Sequence, residues 1–107
     1  MKDKQKEVCE ITGSEVIFPS PGDIAGVAIH TAKESPIYGV REDPENGSSG
    51  WYIWAGECSD AADFFKPLHI EHIKDFFPHV EKYLALSPNH KFIVDRNGYE
   101  DVWVENE

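Results

Sequence analysis

Long apolar runs are absent from this 107-residue chain. No stretch approaches the ~18 consecutive apolar residues that a membrane helix requires. The opening MKDKQKEVCEITG has no apolar core of the kind a secretory signal carries, so a cytoplasmic location is expected. Cysteine is scarce: Cys9 and Cys58 are the two, too far apart for a CxxC site. Two lone cysteines in an unsecreted chain read as reduced thiols rather than a disulfide framework. Positive charge is in deficit, with 10 Lys and Arg against 20 Asp and Glu, a net of −10. That argues against nucleic acid and anionic membranes as partners, because both need a positive surface. There is no GxGxxG, no P-loop glycine pattern and no GxSxG elbow, so no cofactor and no catalytic residue is expected.

What is present is the material of one small folded domain. The chain is 40% hydrophobic and 12% aromatic, enough for a single core at this length without metal or disulfide help. The charge is uneven. Residues 1–6 hold Lys2, Lys4 and Lys6 against Asp3, leaving 7 bases and 19 acids, a net of −12, in residues 7–107. The expected organisation is a flexible tail, 1–6, followed by a single domain, 7–107. The last nine residues contain four acids and no base.

Periodicity assigns the elements. Residues 15–18 read as a short strand or an irregular lead-in, stopped by Pro19-Ser20-Pro21-Gly22. Residues 24–31 and 37–42 read as two strands of a hairpin about the turn 33–36. Residues 43–50 form a loop crowded with Pro, Gly, Asn and Ser. Residues 51–55 alternate Trp51, Ile53 and Ala55 against Tyr52 and Trp54, which suggests a central strand covered on both faces. Ile70, Ile73, Phe76 and Phe77 fall on one stripe of a helix over 69–77. Pro78 ends it and opens a second helix over 79–86, with Val80, Tyr83 and Leu84 inward. At the C-terminus, 91–95 and 99–104 flank Asn97-Gly98, a strong hairpin turn. With those two residues at its centre, Phe92 faces Trp103, Ile93 faces Val102 and Val94 faces Asp101. The expected fold is α+β: an antiparallel sheet of about five strands, with one or two helices inserted before a C-terminal hairpin and packed on one face.

Three groups of residues invite a chemical reading. His69 and His72 are helical neighbours with Asp75 nearby, a conceivable metal set, although the spacing is not HExxH. Border histidines on an amphipathic helix explain the same pattern. The adjacent acid pairs Glu42/Asp43 and Glu100/Asp101 point to opposite faces of a strand, poor geometry for sharing a proton. Trp51, Tyr52, Trp54, Phe64, Phe65 and Trp103 supply either core or the aromatic anchors of a protein interface.

Arg41-Glu42-Asp43-Pro44, then Ser49-Gly50-Trp51 and Gly56-Glu57, resemble the "RE-P … SGW … GE" blocks of the immunity protein 33 family. Pro67 to Ile73, Pro78, Tyr83 to Leu86 and Tyr99 to Trp103 are similar to its other recurrent blocks, in the same order. The segment Ser87 to Lys91 departs from the pattern, where a Pro-Pro-Gly-Trp-Arg-like stretch is expected. The resemblance implies a bacterial protein of a polymorphic toxin system that binds a cognate toxin in the cytoplasm and blocks it. With the acidic balance, this suggests a basic toxin as partner, met by Glu42, Asp43, Glu45, Trp51, Glu100, Asp101 and Trp103. Two other readings stand beside it: a metal- or ligand-binding domain or enzyme built on His69, His72 and Asp75, and a regulatory or scaffold interaction domain. Sheet edges on so small a domain also admit a homodimer.

Overall fold

The computed structural model describes residues 2–20 and 22–104. Pro21 and two of the four acids of the last nine residues, Glu105 and Glu107, lie outside them. A helix α1 (Lys2–Thr12) is followed by six strands: β1 (Ile24–Val27), β2 (Ile37–Arg41), β3 (Ser48–Ala55), β4 (Lys66–His69), β5 (His90–Val94) and β6 (Glu100–Val104). Three 3-10 helices lie between strands, at Ile29–Thr31, Ile70–Asp75 and Pro78–Tyr83. The strands form one sheet in the order β4-β1-β3-β2-β5-β6. The fold is α+β, as the sequence suggests, but the sheet has six strands and is mixed, because β1 runs parallel to β3.

That parallel pair corrects the expected hairpin of residues 24–31 with 37–42. After Val27 the chain turns through the first 3-10 helix, and the Thr31 hydroxyl accepts the Ala55 N–H at 2.9 Å. The connection thus passes the end of β3. It delivers β2 to the far side of β3, where the two pair antiparallel. β4, which begins before the helix expected over 69–77, closes the other edge against β1.

Helix α1 takes in residues 2–6, read from sequence as a tail. Its inner side is Gln5, Val8, Cys9 and Thr12, at 3–4 residue spacing, with only two apolar members. Gln5 donates to the Glu81 carbonyl at 2.8 Å. Gly13, at φ +76°, closes the helix, and the Ser14 N–H reaches back to the Cys9 carbonyl at 2.8 Å. Residues 15–18 are the irregular lead-in, tied to the rest by a bridge between Val16 and Leu86 and by the Ile17 N–H bond to the Ala85 carbonyl at 2.8 Å, with Phe18 packed against the core.

The two expected α-helices of the middle are short 3-10 helices. In the first, Phe77 is fully buried and Phe76 is 39% exposed, against an expectation that both face inward. The reason is the Phe77 N–H bond to the Ile73 carbonyl at 2.8 Å, which widens the last turn and rotates Phe77 inward in place of Phe76. In the second, Val80, Tyr83 and Leu84 are buried as expected.

All helical elements that pack on the sheet lie on one face of it, and the core sits between them. On this face Ala25, Val27, Ile37, Trp51, Ile53, Ala55, Phe92 and Val94 are buried, together with Ile73, Phe77, Val80, Tyr83 and Leu86 from the helical side. Phe92 lies flat on Gly39: a Cβ there would stand 2.1 Å from the ring. Tyr83 stacks on the other side of Phe92 at 4.7 Å, and Trp51 flanks it at 5.6 Å.

The C-terminal hairpin is shifted by one residue from the expected register. Phe92 pairs with Val102, Ile93 with Asp101 and Lys91 with Trp103. Asp95 is the cause. Its carboxylate accepts the N–H of Asn97 at 2.8 Å and of Tyr99 at 2.9 Å. Its own N–H bonds the Tyr99 carbonyl at 3.1 Å. The loop therefore has three residues, 96–98, with Gly98 at φ +96° as its left-handed member.

Candidate functional site

Arg41, Ser49, Gly50 and Trp51, among the residues that carry the family resemblance, are engaged in holding the chain together. Arg41 is 2% exposed. Its Nε donates to the Ser49 carbonyl at 2.9 Å, and its Nη1 donates to the carbonyls of Ile17 (2.7 Å), Leu86 (2.8 Å) and Leu84 (3.3 Å). A buried guanidinium thus joins β2 and β3 to the lead-in after α1 and to the turn after the third 3-10 helix. Burial lowers its pKa, with the charge of Asp23 acting in the opposite direction. The Ser49 hydroxyl donates to the Ile24 carbonyl at 3.1 Å and accepts the Trp51 N–H at 3.3 Å. Gly50 adopts φ +87°, and a Cβ there would fall 2.1 Å from the Glu42 carbonyl oxygen.

Trp51 is a correction. It is 1% exposed, and its indole N–H donates to the Leu84 carbonyl at 2.9 Å. A tryptophan at this place in β3 belongs to the helix side of the sheet, so it is a core residue and presents nothing to a partner.

The opposite face of the sheet is open. The side chains of β3 alternate, so Tyr52 and Trp54 point away from the helices. The expectation that β3 is covered on both sides is half right: β3 is central, but Tyr52 is 37% exposed. One register row on this face crosses all six strands as Pro67, Gly26, Tyr52, Val40, Lys91 and Trp103. The next runs Trp54, Tyr38, Ile93, Asp101. None of these ten residues is buried. Tyr38 and Trp54 stack at 5.2 Å, and Phe65 stands edge-on to Tyr52 (5.3 Å) and Trp54 (5.9 Å).

Of the acids expected at a contact surface, Glu42, Asp43 and Glu45 are exposed in the loop after β2. β6 divides the rest. Asp101 and Trp103 lie on the open face, whereas Glu100 lies on the helix side. There its carboxylate accepts the Tyr83 hydroxyl hydrogen bond and pairs with Lys82 at 3.2 Å. The Tyr83 bond holds the Glu100 carboxyl below its ordinary range, and burial pushes the Tyr83 phenol up. The structure therefore brings the 42–45 loop, Asp101 and Trp103 to one face or its border and leaves Trp51 and Glu100 on the other. A second acidic segment leaves the opposite end of β3: Glu57, Asp60 and Asp63 are exposed in the β3–β4 connection, whose residues 57–65 contain no base. Phe65 is among the aromatics that the sequence offers for an interface, whereas Tyr38 and Ile93 are not. The alternation of 37–41 and 90–94 was the available signal, usable only once the strand order was known.

The histidine cluster is loosely arranged. His72 Nδ1 lies 3.4 Å from Asp75 Oδ2, with both side chains more than half exposed, and the His69 and His72 rings are 6.2 Å apart. Among the described residues no group of three or more His, Cys, Asp or Glu is placed to hold a metal ion. A cleft of about 510 Å³ lies between the third 3-10 helix and the C-terminal hairpin, lined by His79, Lys82, Tyr83, Arg96, Tyr99 and Glu100. Its charges are already engaged: Glu100 as above, and Arg96 with the carbonyls of Ala32 and Glu34 at 2.8 and 3.3 Å. No helix among the described residues is long and apolar enough to cross a membrane.

Compared with known proteins, residues 4–105 match the family model described as the Imm33-like domain. No curated protein matches the chain, and no solved structure does.

Proposed function

The chain belongs to the Imm33-like domain family, and from that premise we propose that it is an immunity protein that binds and neutralises a cognate bacterial toxin in the cytoplasm. The family match over residues 4–105 carries this reading. The net charge of −10 adds the chemistry of the partner, a basic protein, since opposite charge speeds encounter and suppresses wrong partners. Neutralisation is by occlusion, with no reaction at the immunity protein itself. If the toxin is a nuclease, its active site is positive to hold phosphate, and an acidic inhibitor fits there. The contact acids are Glu42, Asp43, Glu45 and Asp101, with Trp103 beside them.

The test is co-expression with the protein encoded next to this gene, which this reading expects to carry a toxin module. Rescue of growth and co-purification are expected; a chain that does neither is not that toxin's immunity protein. Association slows as salt rises when steering contributes, and a salt-insensitive association rate removes the electrostatic part of the mechanism.

A further inference from the structure

Resting on that reading, we propose that the toxin docks on the open face of the sheet, with Tyr52, Trp54 and Trp103 as its anchors and the acids of the border as its electrostatic guide. The two faces of the sheet differ sharply. On the helix side the strands contribute eight buried apolar residues. On the open side no residue of the two central rows is buried, although they include Tyr38, Val40, Tyr52, Trp54, Ile93 and Trp103. Single exposed apolar residues are ordinary, but contiguous apolar surface on a small domain marks an interaction site. Six strands about 4.8 Å apart span roughly 24 Å, the width of a standard protein interface.

Charge complementarity selects the occupant. Asp101 stands on the face, Glu42, Asp43 and Glu45 at one end, and Glu57, Asp60 and Asp63 in the connection that brings Phe65 onto it. Lys91 is the one base in the two rows. An aromatic centre with an acidic border is the anatomy of an interface whose partner is apolar at its middle and basic at its edge. A second copy of this chain would set acid against acid, so a basic protein is the occupant.

The experiment measures binding of the purified chain to the neighbouring toxin module, carrying an inactivating substitution, by calorimetry. Each variant is first checked by its urea midpoint. Trp103→Lys and Asp101→Lys are exposed on the edge strand and should fold; each should weaken binding at least 10-fold, and Tyr52→Ala about 30-fold. Ile11→Lys, on α1 at 77% exposure, should bind as the parent does. If the parent binds and rescues but the open-face variants bind unchanged, the docking face is wrong while the immunity reading stands. If the parent neither binds nor rescues, the immunity reading falls and takes this occupant with it. Sedimentation of the chain alone covers the other occupant: a dimer that Trp103→Lys separates assigns the face to a second copy and overturns the proposal.

Discussion

Arg41 and Trp51, paired across β2 and β3, both donate to the carbonyl of Leu84. The turn after the third 3-10 helix is thus held to the sheet by two side chains that share one acceptor. Arg41→Leu leaves the carbonyls of Ser49, Ile17 and Leu86 without these bonds, and an unsatisfied buried polar group costs about 1–3 kcal/mol. A loss of about 3 kcal/mol or more is expected in urea unfolding, a large part of a typical total. Arg41→Lys should recover little, because an ammonium lacks the guanidinium fork. Unfolding midpoints near the parent's for either variant would show that the network contributes little.

Gly39→Ala places a methyl inside the Phe92 ring, which is confined between Tyr83 and Trp51. Overpacking of this kind costs about 1–3 kcal/mol. Phe92→Leu frees the space, so the double variant Gly39→Ala/Phe92→Leu should lose clearly less than the two single losses combined. Simple additivity would mean that the ring and the glycine are not coupled.

Gly47 and Gly50 separate strain from clash. Both have positive φ, +82° and +87°, but a Cβ at Gly47 meets open space and one at Gly50 meets the Glu42 carbonyl. Gly47→Ala should cost about 1 kcal/mol, from the left-handed backbone alone. Gly50→Ala should cost more, since the backbone of β2 must shift as well. Equal losses would place the whole effect in φ.

The Tyr83–Glu100 bond gives stability a pH dependence. The folded Glu100 carboxyl lies below its unfolded value, the Tyr83 bond being the largest cause. Its contribution is therefore complete above the unfolded carboxylate pKa, about 4.3. It is lost as pH falls through the folded value. Tyr83 behaves in the opposite sense: raised when folded, its contribution is complete below about pH 10 and lost as pH rises further. Tyr83→Phe removes the bond, so the stability gap between parent and variant should narrow from about pH 5 toward pH 3. A gap constant over that range would detach Glu100 from Tyr83.

The two thiols differ in access. Cys9 is 1% exposed and burial raises its pKa, whereas Cys58 is exposed. A disulfide reagent at neutral pH should titrate one thiol quickly and the second only on unfolding, and Cys58→Ser should abolish the fast phase. Two fast thiols would show that α1 opens readily.

Much of the architecture was legible in the sequence where the signal is local. The alternation of β3, the existence of the C-terminal hairpin and the inward faces of Val80 and Tyr83 follow from periodicity. What was not legible depends on partners distant in the chain. β1 pairs with β3 because of a crossover that no pattern in 24–42 announces. The hairpin register depends on the carboxylate of Asp95 capturing two N–H groups, a choice that Asn97-Gly98 conceals. Trp51 looked like a contact residue beside an acidic loop, and only the position of the Leu84 carbonyl makes it interior. Helix α1 has two apolar residues on its inner side, too few to stand out from a charged tail.

The placement of Arg41, Ser49, Gly50 and Trp51 inside the molecule has a consequence for the open face. These four brace the scaffold from the interior, and Tyr52, Asp101 and Trp103 on the open face take no part in that bracing. Tyr52, Asp101 or Trp103 can then be exchanged while the braces stay in place. The contact surface proposed above is therefore separable from the frame that carries it.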